Sequence, residues 1–105
     1  MIRLKPTTRP EARKIVKRLA SEYQIDDPAG EHLLVTFADA CSLELDCMDR
    51  IALDGLMVED RFGQKKAHPL ISSARDARAQ KLAALKALNI DLEPLHDKPG
   101  RPPGR

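Results

Sequence analysis

The first repeat of hydrophobic positions lies between residues 9 and 24. Its apolar side chains recur every three or four residues, which places them on one side of a helix. They are Ala12, Ile15, Val16, Leu19, Ala20 and Tyr23. Thr8 and Glu11 fit a capping box at its start, in which each side chain accepts a hydrogen bond from a free backbone N–H. We therefore predict an amphipathic helix over about residues 9–24, with a basic outer side.

A second repeat covers about residues 28–54. Asp27 is suited to cap this helix, and Pro28 fits its first turn, where a missing N–H costs nothing. Two apolar stripes run along the helix, so we expect it to be covered from two sides. The first stripe contains Leu34, Phe37, Cys41, Leu45, Met48 and Ala52, and the second contains Leu33, Ala40, Leu43, Cys47 and Ile51.

A third repeat covers about residues 69–88 and is rich in alanine. Small side chains allow two helices to approach closely, so we predict that it packs antiparallel against the second helix. The apolar positions Ile71, Ala74, Leu82 and Leu85 share one face with Arg78.

The connector between the second and third helices has a pattern of its own. Gly55 suits a left-handed position at the end of a helix, and residues 56–58 favour a strand. Gly63 lies in a turn, and a residue before proline is pushed into an extended conformation. We predict a short β-hairpin over about residues 56–68, with His68 either capping the third helix or bonding within the connector.

After Asn89 the helical pattern ends, because the prolines and glycines that follow exclude regular structure. The predicted fold is mainly α. It has three helices, of which the second and third form a long antiparallel hairpin interrupted by a short β-hairpin, and a disordered basic C-terminal tail. We assign residues 1–94 to a single helical domain, with a basic N-terminal helix (1–24) and an oligomerisation core (25–94), and residues 95–105 to the tail.

The composition predicts self-association. A chain of 105 residues with two Phe, one Tyr and no Trp packs a modest core of alanine and leucine, and its two long helices leave apolar surface for a second copy. We therefore expect a homo-oligomer. The candidate interface residues are Leu33, Phe37, Leu43, Leu56, Val58 and Phe62.

Charge is segregated along the chain. Residues 1–19 carry seven Lys or Arg and one acid, residues 20–60 carry eleven acids and one Arg, and residues 61–105 are again basic. Both ends are thus suited to attract phosphate, whereas the middle repels it. The candidate residues for binding double-stranded DNA are Arg9, Arg13, Lys14, Lys17 and Arg18 in the first helix and Lys98, Arg101 and Arg105 in the tail. A solvated helix face without a ligand is the alternative.

The tail allows two kinds of DNA contact. Arg101-Pro102 resembles half of an AT-hook core, which lies in the minor groove. Attraction to phosphate without regard to base sequence is the alternative, and an unstructured solubilising end is the third interpretation.

The sequence contains no pattern typical of an enzyme. No phosphate-binding loop, nucleophile elbow or metal-ligand spacing is present, so we expect no catalytic residue, no metal and no cofactor. Cys41 and Cys47 are predicted to be buried and reduced. No apolar run is long enough to span a membrane, and we expect a cytoplasmic protein.

The order of several features resembles the family of phage terminase small subunits. These features are Ile25-Asp26 before a long Ala/Leu helix, Gly55, a hairpin containing Gly63, His68-Pro69 before an alanine-rich helix, and Leu88-Asn-Ile90 followed by Pro94. The resemblance covers about residues 23–94. It implies a non-catalytic homo-oligomer, often a ring, that binds viral DNA and delivers it to the large terminase subunit for genome packaging. It also implies that the protein acts in the cytoplasm of a bacterial host cell.

Two other functions remain open at this stage. The first is a small DNA-binding regulator or antitoxin, in which the two long helices form a dimerisation hairpin. The second is a helical protein–protein adaptor whose acidic second helix binds a basic partner.

Overall fold

A computed structural model describes residues 2–89 of the chain. It contains three helices, α1 (Pro10–Glu22), α2 (Pro28–Asp54) and α3 (Leu70–Ala87). Two short strands, β1 (Met57–Glu59) and β2 (Lys65–Ala67), lie between α2 and α3 and pair antiparallel. The predicted mainly helical fold, with a hairpin of strands inside a hairpin of helices, is confirmed. The predicted disordered tail lies outside the described residues.

The start of α1 differs from the predicted capping box. The cap position is Arg9, which makes no side-chain capping bond, and Pro10 occupies the first turn. The Thr8 hydroxyl is buried and has no hydrogen-bond partner among the described residues, and the Glu11 carboxylate accepts from the Arg9 guanidinium instead. The predicted capping box is therefore wrong. The helix begins one residue later than expected, and Glu11 binds the Arg9 side chain instead of a backbone N–H.

The end of α1 is a tight reversal. Gln24 has a positive φ of 51°, and the Ile25 N–H donates to the Ala20 carbonyl over 3.0 Å. This is the bond that characterises a Schellman motif, in which the residue after the left-handed position also packs back onto the last helical turn. Ile25 accordingly lies half-buried against the core cluster together with Ala20.

The first turn of α2 confirms the predicted cap. The Asp27 carboxylate accepts from the Gly30 N–H over 3.0 Å, and Pro28 occupies the first turn. Gly30 is buried, and a Cβ at this position would lie 2.6 Å from Ile25 Cγ2 and 2.7 Å from Asp27 Oδ1. Glycine is therefore required here by space, because the α1–α2 turn lies directly on the helix.

The connector between α2 and α3 is held by specific bonds. Gly55 has a φ of 91° at the end of α2, and Gly63 has a φ of 80° in the hairpin turn. Asp60 organises that turn, since its carboxylate accepts from the N–H groups of Phe62 and Gln64 at 2.8 and 3.0 Å. A glycine in the left-handed region at the end of such a turn is typical of short hairpins.

His68 joins the connector to both long helices. Its Nδ1 accepts from the Leu70 N–H over 3.1 Å, so Nε2 carries the proton and donates to the Asp54 carboxylate over 2.9 Å. The predicted capping role of His68 at the start of α3 is confirmed. The hydrogen bonds from His68 and then Arg50 hold the pKa of Asp54 below its usual range.

The core lies at one end of the helical hairpin. The cluster contains residues from all three helices, namely Ala12, Val16, Leu34, Phe37, Ala38, Cys41, Ala84 and Leu85. We call this the proximal end. The distal end comprises the second half of α2, the β-hairpin and the first half of α3. Its buried hydrophobic residues come from the two long helices, and they include Cys47, Ile51, Ala74 and Ala77.

Candidate nucleic-acid interface

Arg9 does not face solvent freely. Its guanidinium pairs with Glu11, with Asp46 at 3.0 Å and with Asp49 at 2.6 Å, and its backbone N–H donates to the Ser42 hydroxyl. The hydrogen bond to Glu11, followed by those to Asp49 and Asp46, raises the pKa of Arg9 above its usual range. Arg9 therefore fixes the start of α1 to α2, a contact that competes with phosphate binding.

Lys5, four residues before Arg9, also pairs with an acid of α2. Its ammonium group lies 3.1 Å from the Asp39 carboxylate. Lys5 and Arg9 are thus paired with three acids of α2, namely Asp39, Asp46 and Asp49. The charge segregation that the sequence shows is partly neutralised by folding.

Arg13 holds the N-terminal segment against α1. Its Nη2 donates to the Lys5 carbonyl over 2.7 Å, and its Nε donates to the Thr8 carbonyl over 3.3 Å. The side chain remains exposed, so its charge is available to a ligand while its geometry is fixed by backbone acceptors.

The remaining cations of α1 form one exposed face. Lys14, Lys17 and Arg18 are three and four positions apart, so they lie on the same side of the helix. Arg18 pairs with Glu22 at 2.9 Å, a contact that raises the pKa of Arg18, whereas neither lysine forms an ion pair within the described residues. We call Lys14, Lys17 and Arg18, together with Arg13, the α1 basic face.

A buried carboxylate was missed by the sequence analysis. Glu44 exposes 6% of its surface, and its two oxygens accept from Arg78 Nε at 2.7 Å and Lys81 Nζ at 2.6 Å. The hydrogen bond from Lys81 is the main reason that the pKa of Glu44 is below its usual range. Cys41 and Cys47, three residues before and after it, are both buried, and this flanking pattern was the available signal.

The predicted oligomer-interface residues fall into three groups by burial. Phe37 packs inside the core and exposes only 3% of its surface, which leaves it little area for a second copy. Leu33 and Val58 are half-buried. Leu43, Leu56 and Phe62 are exposed, with Phe62 showing 76% of its surface to solvent.

The distal end adds further apolar exposure. Leu53 and Met57, which were not among the predicted interface residues, are 77% and 54% exposed. With Leu56 and Phe62 they form what we call the distal apolar set. A shallow groove of about 330 Å³ between α2 and α3 lies at the same end, lined by Met48, Ile51, Leu56, Ile71, Ala74, Arg75 and Arg78.

The cysteines and histidines form no reactive cluster in the described part of the chain. Burial raises the pKa of the Cys41 and Cys47 thiols, which keeps them protonated and unreactive. Both are free and buried as predicted. Over residues 2–89 there is no group of three or more His, Cys, Asp or Glu side chains placed to hold a metal ion.

The tail cations Lys98, Arg101 and Arg105 lie outside the described residues, so the structure adds nothing to their assignment. Between residues 2 and 89, no helix combines the length and apolar character needed to cross a bilayer. The chain matches no protein-family model, no curated protein and no solved structure.

Proposed function

We propose that the chain is a non-catalytic DNA-binding subunit that acts as a homo-oligomer. The observation that carries the DNA-binding part is the α1 basic face. Lys14 and Lys17 are exposed and form no ion pair in the described structure, whereas Lys5 and Arg9 are paired with acids of α2. Each unpaired cation that meets a duplex releases condensed counterions, which favours binding.

The distal end supports the oligomeric part of the proposal. Four apolar side chains that are more than half exposed occur within ten residues of one another, and this is unusual for a monomer that stays in water. A second copy that covers Leu53, Leu56, Met57 and Phe62 would remove this area from solvent.

The packaging role rests on the resemblance of residues 23–94 to phage terminase small subunits. On this proposal the chain binds viral DNA, assembles into a closed oligomer and presents the DNA to a large terminase subunit that supplies catalysis. The absence of an enzyme motif in the sequence is compatible with such a division of labour.

Charge reversal on α1 tests the DNA-binding part. We expect Lys14→Glu with Lys17→Glu to reduce affinity for a DNA duplex by at least tenfold. The slope of log affinity against log salt should fall by about 2, since each lost phosphate contact removes about 0.9 from the slope. Fluorescence anisotropy with a labelled duplex over a range of salt concentrations measures both quantities.

The matched control is Lys65→Glu with Lys66→Glu on strand β2, which changes the net charge equally at the distal end. We expect it to retain most of the affinity. Equal losses in the two variants would mean that DNA senses only the total charge, and retention of affinity and slope in the α1 variant would exclude the α1 basic face.

The mass of the protein in solution separates the packaging subunit from the other functions. A closed assembly larger than a dimer supports the packaging subunit, while a dimer that binds DNA supports a regulator or antitoxin. A monomer without DNA affinity supports an adaptor. Analytical ultracentrifugation of the full chain makes this measurement.

A further inference from the structure

The β-hairpin at the distal end has two outer edges. The His68 N–H donates to the Leu56 carbonyl over 2.8 Å, and the Asp60 N–H donates to the Gln64 carbonyl over 2.9 Å. Because backbone groups of an antiparallel pair alternate between the partner strand and the outer edge, these bonds show which residues face outward. They are Met57 and Glu59 on β1, and Lys65 and Ala67 on β2.

The two edges differ in charge. β2 carries Lys65 and Lys66 within three exposed residues, whereas the charged residue of β1 is Glu59. Lysines on an edge strand oppose pairing with a further strand, because their ammonium groups would lose water at the contact. β1 has no lysine, and its Met57 and Val58 are apolar. The edge of β1 is therefore the one suited to accept another strand.

β1 is complementary to a second copy of itself in one register. When Val58 lies opposite Val58 of the second copy, residues 57 and 59 of each strand pair with residues 59 and 57 of the other. Both pairs then exchange two N–H···O bonds, which satisfies the outward groups of both strands. The two Glu59 carboxylates are not directly opposite each other, since they lie on a diagonal of about 7–8 Å.

This register also brings the exposed apolar residues of two copies together. Asp60 lies opposite Leu56 of the second copy, so the turn that carries Phe62 extends toward the end of α2 in that copy. Phe62 and Leu53 are 76% and 77% exposed in the single chain. The strand contact is thus continuous with the distal apolar set, which gains cover from the same partner.

The charges of the turn and of the end of α2 permit this contact. The Asp60 carboxylate accepts from two N–H groups of its own turn, and Arg61 lies over the ring of the next residue at 5.4 Å. Asp54 at the end of α2 is paired with Arg50 at 2.9 Å. In the alternative pairing of β2 with β2, Lys66 would lie opposite a second Lys66, which is unfavourable.

We propose that β1 pairs antiparallel with β1 of a second copy about a two-fold axis at Val58. The two hairpins then form one sheet, with the lysine-bearing β2 strands at its outer edges. This inference rests on the proposed homo-oligomer and identifies one of its contacts. Since α1 lies at the opposite end of the helical hairpin, a pair of copies joined in this way presents two α1 basic faces.

Disulfide cross-linking of the full chain tests the register. Val58→Cys places two thiols opposite each other, with Cα atoms about 4.5 Å apart, which is within disulfide reach. Mild oxidation should convert most of this variant into a covalent dimer on a non-reducing gel. Lys66→Cys, at the position that pairs with Val58 on β2, is the matched control and should give no covalent dimer. Wild type, with Cys41 and Cys47 buried, should give none either.

Each other outcome contradicts the proposal. It is overturned if Val58→Cys gives no covalent dimer, or if the two variants give equal amounts. A product formed only when the two variants are mixed would show β1 against β2 of another copy, and would also overturn it. Sedimentation of the wild-type chain separates the two proposals, because a monomer refutes the homo-oligomer itself, whereas an oligomer that fails to cross-link refutes only the β1 contact.

A backbone substitution adds a second measurement. Met57→Pro removes an N–H that faces the outer edge, so the hairpin keeps its own ladder bonds while each copy loses one donor. We expect roughly tenfold weaker self-association by sedimentation. Met57→Leu, which keeps the N–H, and Ala67→Pro, at the paired position on β2, should both retain it. Circular dichroism checks that each variant is folded. Unchanged association of folded Met57→Pro would contradict pairing through β1.

Discussion

The apolar residues at the two ends of the helical hairpin are covered to different extents. At the proximal end, α1 covers the hairpin, and Leu34 and Phe37 are almost completely buried among residues from three helices. At the distal end, a two-stranded hairpin takes the place of α1, and apolar residues of the connector between α2 and α3 remain exposed. A two-stranded hairpin has too little area to close a core.

If the chain assembles as proposed, this difference separates the residues that stabilise the monomer from those that support association. The proximal end supplies its own cover, so its apolar residues stabilise the monomer. The distal apolar set contributes little to the stability of the monomer, because its side chains stay in water. Covering them with another surface would favour assembly. The following predictions test that division, beginning with the largest expected effect.

The same truncation at the two ends should have different consequences. We expect Phe37→Ala to lower the free energy of unfolding by about 3–5 kcal/mol, since it opens a cavity in the core. Phe62→Ala should change it by less than about 0.5 kcal/mol in dilute protein, because the ring is 76% exposed. Urea unfolding followed by circular dichroism measures both values.

For self-association we expect the opposite order, with a larger effect of Phe62→Ala than of Phe37→Ala. At high protein concentration Phe62→Ala should weaken self-association, measured by sedimentation. A large loss of stability in dilute Phe62→Ala would show that the distal end carries part of the monomer core, and would contradict the proposed division.

Substitution of Gly30 and of Gly63 by alanine should lower the stability of the protein for different reasons. Gly30→Ala should cost about 1–2 kcal/mol, since the added Cβ overlaps Ile25 and Asp27 and better helix propensity offsets only part of the strain. Gly63→Ala should cost about 1 kcal/mol, because nothing crowds that position but its φ of 80° is unfavourable for alanine.

Asparagine distinguishes the two causes. It tolerates the left-handed region, so Gly63→Asn should be nearly neutral, whereas Gly30→Asn should cost at least as much as Gly30→Ala. Thermal unfolding of the four variants checks this prediction. Similar losses for both asparagine variants would mean that space is not the limiting factor at Gly30.

Loss of the charge on Glu44, the buried carboxylate between α2 and α3, should have a smaller effect on stability. We expect Glu44→Gln to cost about 1–2 kcal/mol, since it weakens two charge-assisted hydrogen bonds. The cost stays modest because the Arg78 side chain is 60% exposed and water screens its charge. Asp46→Asn, on the same helix with a side chain 61% exposed, should change stability by less than about 0.5 kcal/mol.

The pH dependence of Glu44 has a defined sign. Its pKa in the folded protein is lowered by Lys81 and Arg78, so its contribution is complete above the unfolded value, about 4.3 for glutamate. The contribution is lost as pH falls through the lower folded value. The stability difference between wild type and Glu44→Gln should therefore shrink below about pH 4. A constant difference from pH 7 to pH 3 would contradict a charged Glu44.

Local sequence signals predicted the elements of this fold well. Asp27 with Pro28, Gly55 and the His68-Pro69 pair each act through bonds or dihedral angles within a few residues, so their roles follow from the chain itself. Thr8 failed as a cap because Arg9 and Glu11 form a competing charged contact that reaches α2.

The sequence alone determined three helices, their order, the hairpin of strands and the basic character of α1, since all of these depend on periodicity and short-range bonds. Only the tertiary structure decided which charges remain available. Arg9 and Glu44 belong to charge-rich segments, yet their partners are distant in sequence. Arg9 binds Asp46 and Asp49, which lie 37 and 40 residues away, and Glu44 binds Arg78, which lies 34 residues away. Which charges meet depends on how the helices pack, and that packing left Lys14 and Lys17 without an ion pair in the described structure.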